Sequence, residues 1–234
     1  MDLSFVKTEL EQKGYCIVPN VLSKEDIESY KMKFHKWRKS IPGLDKFHNT
    51  LNPHHIYKYH EVGHQEFAWD IRVNKKVQDV FRYLWDTDDL VVSFDGCCWM
   101  DKNVKRRDNI WTHSDQSPKK KGLHCYQGFV SMTDNKEKTL VVYEGSHKLL
   151  EDYYKNMEIK ETGDWNLIDK DYLDLISPQK RKLKVPAGAL VLWESRTFHQ
   201  NNYGKPNSEE RLVQYVCFLP KNNSEKFNYL EIGS

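Results

Sequence analysis

Short apolar runs of the strand type follow one another from Leu90 to Pro220, and they constrain the fold more than any other feature. The runs read LVVSFDGCCWM, IWTHSD, CYQGFVSMT, TLVVYEG, KLKVPAGALVLWES and RLVQYVCFLP. Many short strands separated by turn residues are typical of antiparallel sheets. Because helical patterns precede these runs, the sequence predicts an α+β fold whose strand-rich part is a jelly roll.

The first third of the chain has a helical pattern. Apolar and charged residues alternate at helical spacing over residues 3–13, and the short run YCIVP follows Gly14. Ser23 and Asp26 form a capping box before a second helix, and Asn74 can cap a third. Residues 43–70 are polar and lack a clear period, so we expect them to form a long connection.

The chain is long enough for one well-buried domain, and its 38% hydrophobic content does not demand two. We therefore predict a single domain over residues 1–234, with a helical part at about 1–88 and a jelly-roll core at about 89–220. The five cysteines show no CxxC spacing, so we expect reduced thiols rather than disulfides or a zinc site.

Charge and hydropathy exclude several classes of protein. The net charge of +2 gives no global field of the kind that marks nucleic-acid-binding or membrane-surface proteins. The N-terminus does not resemble a secretory signal, and no apolar run approaches the ~18 residues of a membrane helix. We expect a cytoplasmic protein without a membrane partner, for which a nucleic-acid partner is disfavoured.

A histidine and an aspartate lie two residues apart in the run IWTHSDQS. On a strand this spacing places His113 and Asp115 on the same face, so both can reach one metal ion. Together with a distant second histidine they would form the 2-His-1-carboxylate triad of non-haem Fe(II) oxygenases. His199, at the polar end of LVLWESRTFHQN, is the preferred third ligand, and His147 is its competitor.

Arg211 lies twelve residues after His199, beyond a turn that contains Gly204 and Pro206. We expect a hairpin here that brings the guanidinium beside the metal. An arginine fork can hold the distal carboxylate of a dicarboxylate that chelates the metal at its other end. The alternative is an ordinary charge at the start of a surface strand.

Four segments in this order resemble the phytanoyl-CoA dioxygenase family: WTHSDQS, TLVVYEGSHK, PAGALVLWESRTFHQN and the later Arg211. The opening segment FVKTELEQKGYCIVPNVLSKEDIESY is also similar to the start of that family, so the resemblance covers nearly the whole chain. Two features depart from the family: Glu144 replaces a common proline, and basic residues crowd the first metal motif.

The resemblance implies a double-stranded β-helix with flanking helices that uses Fe(II), 2-oxoglutarate and O2. It implies that His113, Asp115 and His199 bind iron, and that Arg211 and Gln127 contact 2-oxoglutarate. The expected reaction is hydroxylation of a small molecule with release of succinate and CO2. A carboxylate at position 115 favours hydroxylation, because related iron halogenases carry a small residue there.

Basic residues flank the metal motif in the segments KNVKRR and PKKK. They would suit an anionic substrate such as a phosphate or a CoA-like molecule, although solvated loops are the preferred interpretation. We expect substrate contacts at Trp111, Gln116, Lys119, Lys120 and Arg196, although a pair between Arg196 and Glu194 is slightly preferred. The substrate itself and the oligomeric state are not predicted.

Other interpretations use the same residues. The principal alternative is a catalytically silent jelly-roll protein that binds a metal or another ligand, and a metal-dependent hydrolase on the same fold is a third. His54, His55, His60 and His64 invite a second metal site, but polar loop histidines are preferred. Ser146 and His147 are adjacent, so we interpret the segment GSHK as a structural turn.

Overall fold

The structure is a computed structural model that describes residues 1–51, 54–104, 110–155, 157 and 163–224. Most of its longer helices lie in the first third of the chain, as the sequence predicts. The helices are α1 (Ser4–Lys13), α2 (Lys24–Ser40), α3 (Leu44–Leu51), α4 (Glu66–Arg72), α5 (Lys75–Trp85), α6 (Leu150–Tyr154), α7 (Lys170–Leu175) and α8 (Lys221–Ser224).

The strands are mostly short, and the majority lie between residues 90 and 220. They are β1 (Tyr15–Val18), β2 (Ile56–Tyr57), β3 (Leu90–Val92), β4 (Cys97–Met100), β5 (His113–Ser114), β6 (Tyr126–Ser131), β7 (Lys138–Tyr143), β8 (Asn166–Leu167), β9 (Lys180–Lys182), β10 (Leu190–Glu194), β11 (His199–Tyr203), β12 (Arg211–Val216) and β13 (Phe218–Pro220).

Two antiparallel sheets form the core, with the orders β1-β10-β6-β12-β4-β2 and β8-β5-β11-β7-β9. One hydrophobic cluster contains side chains from both sheets, among them Phe129 and Val213 from the first and Leu140 and Val142 from the second. The inner faces of the sheets therefore pack against each other, as in a jelly roll. This confirms the predicted α+β architecture.

Helices cover the outer face of the six-stranded sheet. Tyr30 and Phe34 of α2 and Phe81 of α5 share a second cluster with Leu192 and Val216 of that sheet. Full burial of such a side chain stabilises a fold by about 1.5–3 kcal/mol. The predicted capping box at Ser23 and the Asn74 cap are both confirmed, so local signals fix where these helices begin.

The prediction of a long connection over residues 43–70 is wrong. This segment contains α3, β2 and α4. Phe67, Ala68 and Ile71 of α4 are buried. The helical spacing of these apolar residues was not recognised because the helix is short and is flanked by polar segments. Arg72 at its end is also buried and donates to the carbonyls of Ser93 and Asp95.

The prediction of a hairpin between His199 and Arg211 is also wrong. β11 pairs with β5 and β7, whereas β12 pairs with β4 and β6 in the other sheet. The segment LVLWESRTFHQN is likewise two strands, because β10 ends at Glu194 and β11 begins at His199. In both places the chain crosses from one sheet to the other, which alternation along a strand does not reveal.

The five cysteines are free thiols in the structure, and the sulfurs of Cys125 and Cys217 lie 3.2 Å apart. None of the helices among the described residues is long and apolar enough to cross a membrane.

Candidate metal centre

The inner side of the five-stranded sheet brings the two predicted histidine ligands together. β5 lies between β8 and β11, and His113 is the direct register partner of His199. Directly paired residues on neighbouring antiparallel strands project to the same face. The two imidazole ring centroids are 4.3 Å apart.

Asp115 lies just beyond the end of β5, so the expectation that one strand carries both His113 and Asp115 holds only for the histidine. Its backbone N–H donates to the Ser195 carbonyl at 2.9 Å, which ties it to the turn before β11. One Asp115 carboxylate oxygen is 3.6 Å from His113 Nε2 and the other is 3.3 Å from His199 Nε2.

One potential ligand atom from each of these three side chains lies within 4.8 Å of the others. Ligand atoms around a single first-row metal ion at about 2.0–2.2 Å are separated by comparable distances. In the parts of the chain that the structure describes, no other group of three such side chains has this geometry. The His54–His64 segment therefore supplies no second cluster of this kind there.

Backbone carbonyls orient both imidazoles. His113 Nδ1 donates to the Trp111 carbonyl at 3.0 Å, and His199 Nδ1 donates to the Thr197 carbonyl at 2.9 Å. A carbonyl can only accept, so the hydrogen must lie on Nδ1 and the lone pair of each neutral ring on Nε2. Both lone pairs are therefore carried by the atoms that approach Asp115.

The protonation states also suit a cation. Burial alone would raise the pKa of Asp115, but close contact with the His113 and His199 imidazoles holds it well below its usual range. Burial and the nearby His113 lower the pKa of His199. The carboxylate is thus ionised and the His199 imidazole neutral near pH 7, which are the forms that bind metals.

Arg211 opens β12 and is completely buried. Its Nε donates to Asn135 Oδ1 at 2.8 Å, and its Nη1 lies 3.1 Å from Cys98 Sγ. Its Nη2 is buried and has no hydrogen-bond partner in the described part of the chain. An unpaired guanidinium N–H in a protein interior is costly, and a carboxylate is the group that satisfies it best.

Two residues that the sequence analysis missed lie beside this arginine's strand. Tyr215, four residues along β12 and so on the same face, accepts a hydrogen bond from Asn201 Nδ2 at 3.1 Å. Asn201 is two residues beyond His199 on β11. Alternation from His199 and from Arg211 could have identified both.

Gln127 lies on β6, two residues before the inward-facing Phe129. Its Oε1 accepts a hydrogen bond from Trp193 Nε1 at 2.8 Å. The Trp193 ring centroid is in turn 5.2 Å from that of His199. Gln127 is therefore one side chain removed from the triad.

The residues predicted to contact substrate fall into two groups. Trp111 stacks on His113, with 5.1 Å between ring centroids. The others form internal contacts or face solvent: Gln116 Nε2 donates to the Gly122 carbonyl, Lys120 pairs with Asp164, Arg196 pairs with Glu194, and Lys119 is exposed. Residues 105–107 of the first basic cluster lie outside the described residues.

His147, the competing ligand, lies elsewhere. It belongs to a short 3-10 turn after Gly145, which confirms the structural turn at GSHK, and its Nε2 donates to the Glu11 carbonyl at 3.0 Å. A Cβ atom at Gly14 would come within 2.5 Å of its Nδ1. The imidazole thus packs against the end of α1, and only His199 reaches Asp115.

The family model of phytanoyl-CoA dioxygenase matches residues 10–203. The matched range contains the three triad residues and ends before Arg211. "Ava biosynthesis cluster protein O" from Aspergillus versicolor is 28% identical over 241 residues, which cover 92% of this chain and 77% of that protein.

Two solved structures share the fold. HygX from Streptomyces hygroscopicus, with nickel and 2-oxoglutarate bound, has a TM-score of 0.65 at 14% identity and covers 94% of this chain and 88% of HygX. EctD from S. alaskensis, with 2-oxoglutarate and 5-hydroxyectoine, has a TM-score of 0.62 at 14% identity and covers 92% and 75% of the two chains.

Proposed function

Because this chain belongs to the phytanoyl-CoA dioxygenase family, we propose that it is an Fe(II)- and 2-oxoglutarate-dependent dioxygenase that hydroxylates a small molecule. The observation that carries the proposal is the convergence of His113, Asp115 and His199, with both Nε2 lone pairs turned to the carboxylate. The domain is proposed to comprise residues 1–234, since helices and sheet share one hydrophobic cluster.

Two imidazoles and one carboxylate hold one face of a metal ion and leave three adjacent positions open. Fe(II), when bound there with 2-oxoglutarate and O2, supplies the chemistry that converts a C–H bond to C–OH with release of succinate and CO2. The ionised Asp115 and the neutral His199 bind the ion without first losing a proton.

Arg211 is proposed to bind the distal carboxylate of 2-oxoglutarate. Asn135 and Cys98 fix the guanidinium through Nε and Nη1, and the unpartnered Nη2 is left for a ligand oxygen. A carboxylate there would satisfy the orphaned donor and balance a buried positive charge. The fit supports an anionic co-substrate, for which a silent structural-metal protein has no need.

The rest of the inner surface excludes water from the reacting groups. Phe129, Val142, Val191 and Trp193 are buried between the two sheets. Phe129 also lies beneath the Arg211 guanidinium, whose carbon is 5.2 Å from the ring centroid. An apolar surround strengthens the ionic contact with the co-substrate and restricts side reactions.

Anaerobic addition of Fe(II) and then 2-oxoglutarate tests the proposal. We expect a weak visible charge-transfer band of the chelate to develop with about one 2-oxoglutarate per chain. Folded protein that gives no band contradicts the assignment. A band without O2-dependent succinate formation, in the presence of a broad metabolite mixture, would instead favour the silent binding protein.

A further inference from the structure

The mouth of the metal centre carries an aromatic and aliphatic surface, which we call the indole wall and define as Trp111, Trp165 and Leu167. The Trp111 and His113 rings are nearly parallel, at 17°, and the Trp165 ring centroid is 5.4 Å from that of His113. Leu167 is the register partner of His113 across β5 and β8 and so shares its face. All three side chains therefore surround one metal ligand.

Two members of the indole wall are about half exposed. Trp165 is 53% exposed and Leu167 is 54% exposed. Large apolar side chains that share one face and remain open to solvent beside a functional centre are typical of binding surfaces. Because they lie against a proposed metal ligand, a molecule that covers them would lie beside the proposed metal centre.

Trp111 adds a polar contact. Trp111 is only 7% exposed, and its ring lies between those of His113 and His54, with 3.8 Å between the Trp111 and His54 ring centroids. Its indole Nε1 is nevertheless buried, and among the described residues it has no hydrogen-bond partner. Buried tryptophan N–H groups normally have an acceptor. A ligand with a carbonyl or hydroxyl oxygen beside this ring would supply one.

Among the described residues, several basic side chains near the metal motif in sequence or structure have acidic partners. Lys120 Nζ is 2.8 Å from Asp164, Lys121 Nζ is 3.7 Å from Glu151, and Arg196 pairs with Glu194. The Asp164 carboxylate directly precedes Trp165 and also accepts the Ser117 backbone N–H at 2.9 Å. Basic residues that are paired in this way offer little attraction to a phosphate or a CoA-like group.

We propose that the indole wall binds the primary substrate, and that this substrate is an uncharged, ring-containing molecule with an acceptor oxygen for Trp111 Nε1. The inference rests on the proposed function, because it takes the triad as the reaction centre. It differs from the anionic substrate that the basic clusters would suit. Flat rings match the wall because they can stack on Trp165 while their edge faces Trp111.

Binding of two naphthalene probes to the Zn(II)- and 2-oxoglutarate-loaded protein tests the proposal without turnover. Naphthalene-2-carboxamide is neutral and carries an acceptor, whereas 2-naphthyl phosphate is anionic. With ligand-observed NMR titrations, we expect the carboxamide to bind at least about tenfold more tightly. Equal or tighter binding of the phosphate, or no binding of either probe, would overturn the proposal.

Variants separate the two contacts. Trp165→Ala should weaken binding of the carboxamide about tenfold. The matched change Trp69→Ala, at a tryptophan of α4 that lies against Phe94, should leave that affinity unchanged. Trp111→Phe keeps a ring and removes the donor, so it should weaken the carboxamide about three- to tenfold and unsubstituted naphthalene hardly at all. An unchanged carboxamide affinity in Trp165→Ala would contradict the proposal that the indole wall binds the substrate.

A third variant tests whether the charge at the wall sets the preference between the two probes. Leu167→Lys adds a cation at the exposed edge and should narrow or invert the preference for the carboxamide over the phosphate.

Failure of the substrate-wall proposal can be distinguished from failure of the dioxygenase proposal. A protein that forms the Fe(II) chelate band but binds neither probe refutes the wall alone, whereas one that binds the carboxamide and forms no band refutes the dioxygenase.

Discussion

The metal triad and the Arg211 site differ in how completely the protein satisfies them. Each histidine of the triad has its Nδ1 bound to a carbonyl and its Nε2 beside Asp115. Arg211 has two of its nitrogens engaged, and Nη2 has no partner among the residues that the structure describes. The arrangement of the proposed metal ligands is therefore fixed before a ligand arrives, whereas the proposed co-substrate site is completed only by its ligand.

The two sites also lie on different sheets. His113 and His199 are on neighbouring strands of the five-stranded sheet, and Arg211 opens β12 in the six-stranded one. A co-substrate that bridges metal and arginine would link the sheets. Metal binding should thus tolerate changes at Arg211, while co-substrate binding should need both sites, and the following predictions test this asymmetry.

Loss of the carboxylate should have the largest effect. Asp115→Ala leaves two neutral imidazoles, so we expect iron affinity to fall at least about a hundredfold and iron-dependent succinate formation to disappear. The iron that remains bound after gel filtration reports the affinity, and the succinate yield reports the activity. Asp164→Ala, a nearby carboxylate paired with Lys120, is the control, and full iron occupancy in Asp115→Ala would show that the triad is misassigned.

Loss of the guanidinium should separate co-substrate from metal. Because hydrogen bonds to charged groups contribute about 1.5–3 kcal/mol, Arg211→Ala should raise the 2-oxoglutarate requirement about ten- to a hundredfold with iron affinity unchanged. Arg211→Lys should recover only part of this, since an ammonium lacks the fork. Titration of the Fe(II) chelate band with 2-oxoglutarate measures the affinity of each variant.

The same variants have a stability readout. In the wild type, 2-oxoglutarate at about a hundred times its Kd should stabilise the metal-loaded protein by about 2.7 kcal/mol. At the same 2-oxoglutarate concentration, this stabilisation should fall to about 0.4–1.4 kcal/mol in Arg211→Ala, which thermal unfolding measures as a smaller rise in Tm. An undiminished shift would mean that the co-substrate is anchored elsewhere.

The contact between Asn201 and Tyr215 joins the two sites, because Asn201 shares a strand with His199 and Tyr215 shares one with Arg211. Asn201→Ala and Tyr215→Phe should each weaken 2-oxoglutarate by about threefold, through loss of one neutral hydrogen bond. The double variant should be no worse than either single one. Fully additive losses would show that the contact does not couple the sites.

The triad could be predicted from sequence because its signals are local. The two-residue spacing of His113 and Asp115 is visible in one run, and the order of the family motifs selects His199 over His147. The structure adds the reason: His199 pairs in register with His113, while His147 is held by the Glu11 carbonyl behind Gly14. No periodicity distinguishes those two environments.

The surroundings of Arg211 could not be predicted, because they depend on sheet crossing. The expected hairpin would have placed Arg211 next to β11, yet β12 pairs with β4 and β6, which brings in Cys98 and, from the loop after β6, Asn135. The pairing of Arg196 with Glu194 could be predicted because the two residues are only two apart, whereas the partner of Lys120, Asp164, is remote in sequence.

The competing histidine provides the smallest test, which concerns stability alone. Burial lowers the pKa of His147, so the unfolded chain takes up its proton first as the pH falls below about 6.5. The stability that the neutral ring contributes is complete above that pH and is lost below it, with a slope of at most about 1.4 kcal/mol per pH unit. His147→Gln, which retains a donor for the Glu11 carbonyl, should reduce the loss seen in urea unfolding between pH 8 and 5 and leave iron affinity unchanged. A parallel fall in iron affinity would instead return His147 to the metal site and remove the distinction between the two histidines.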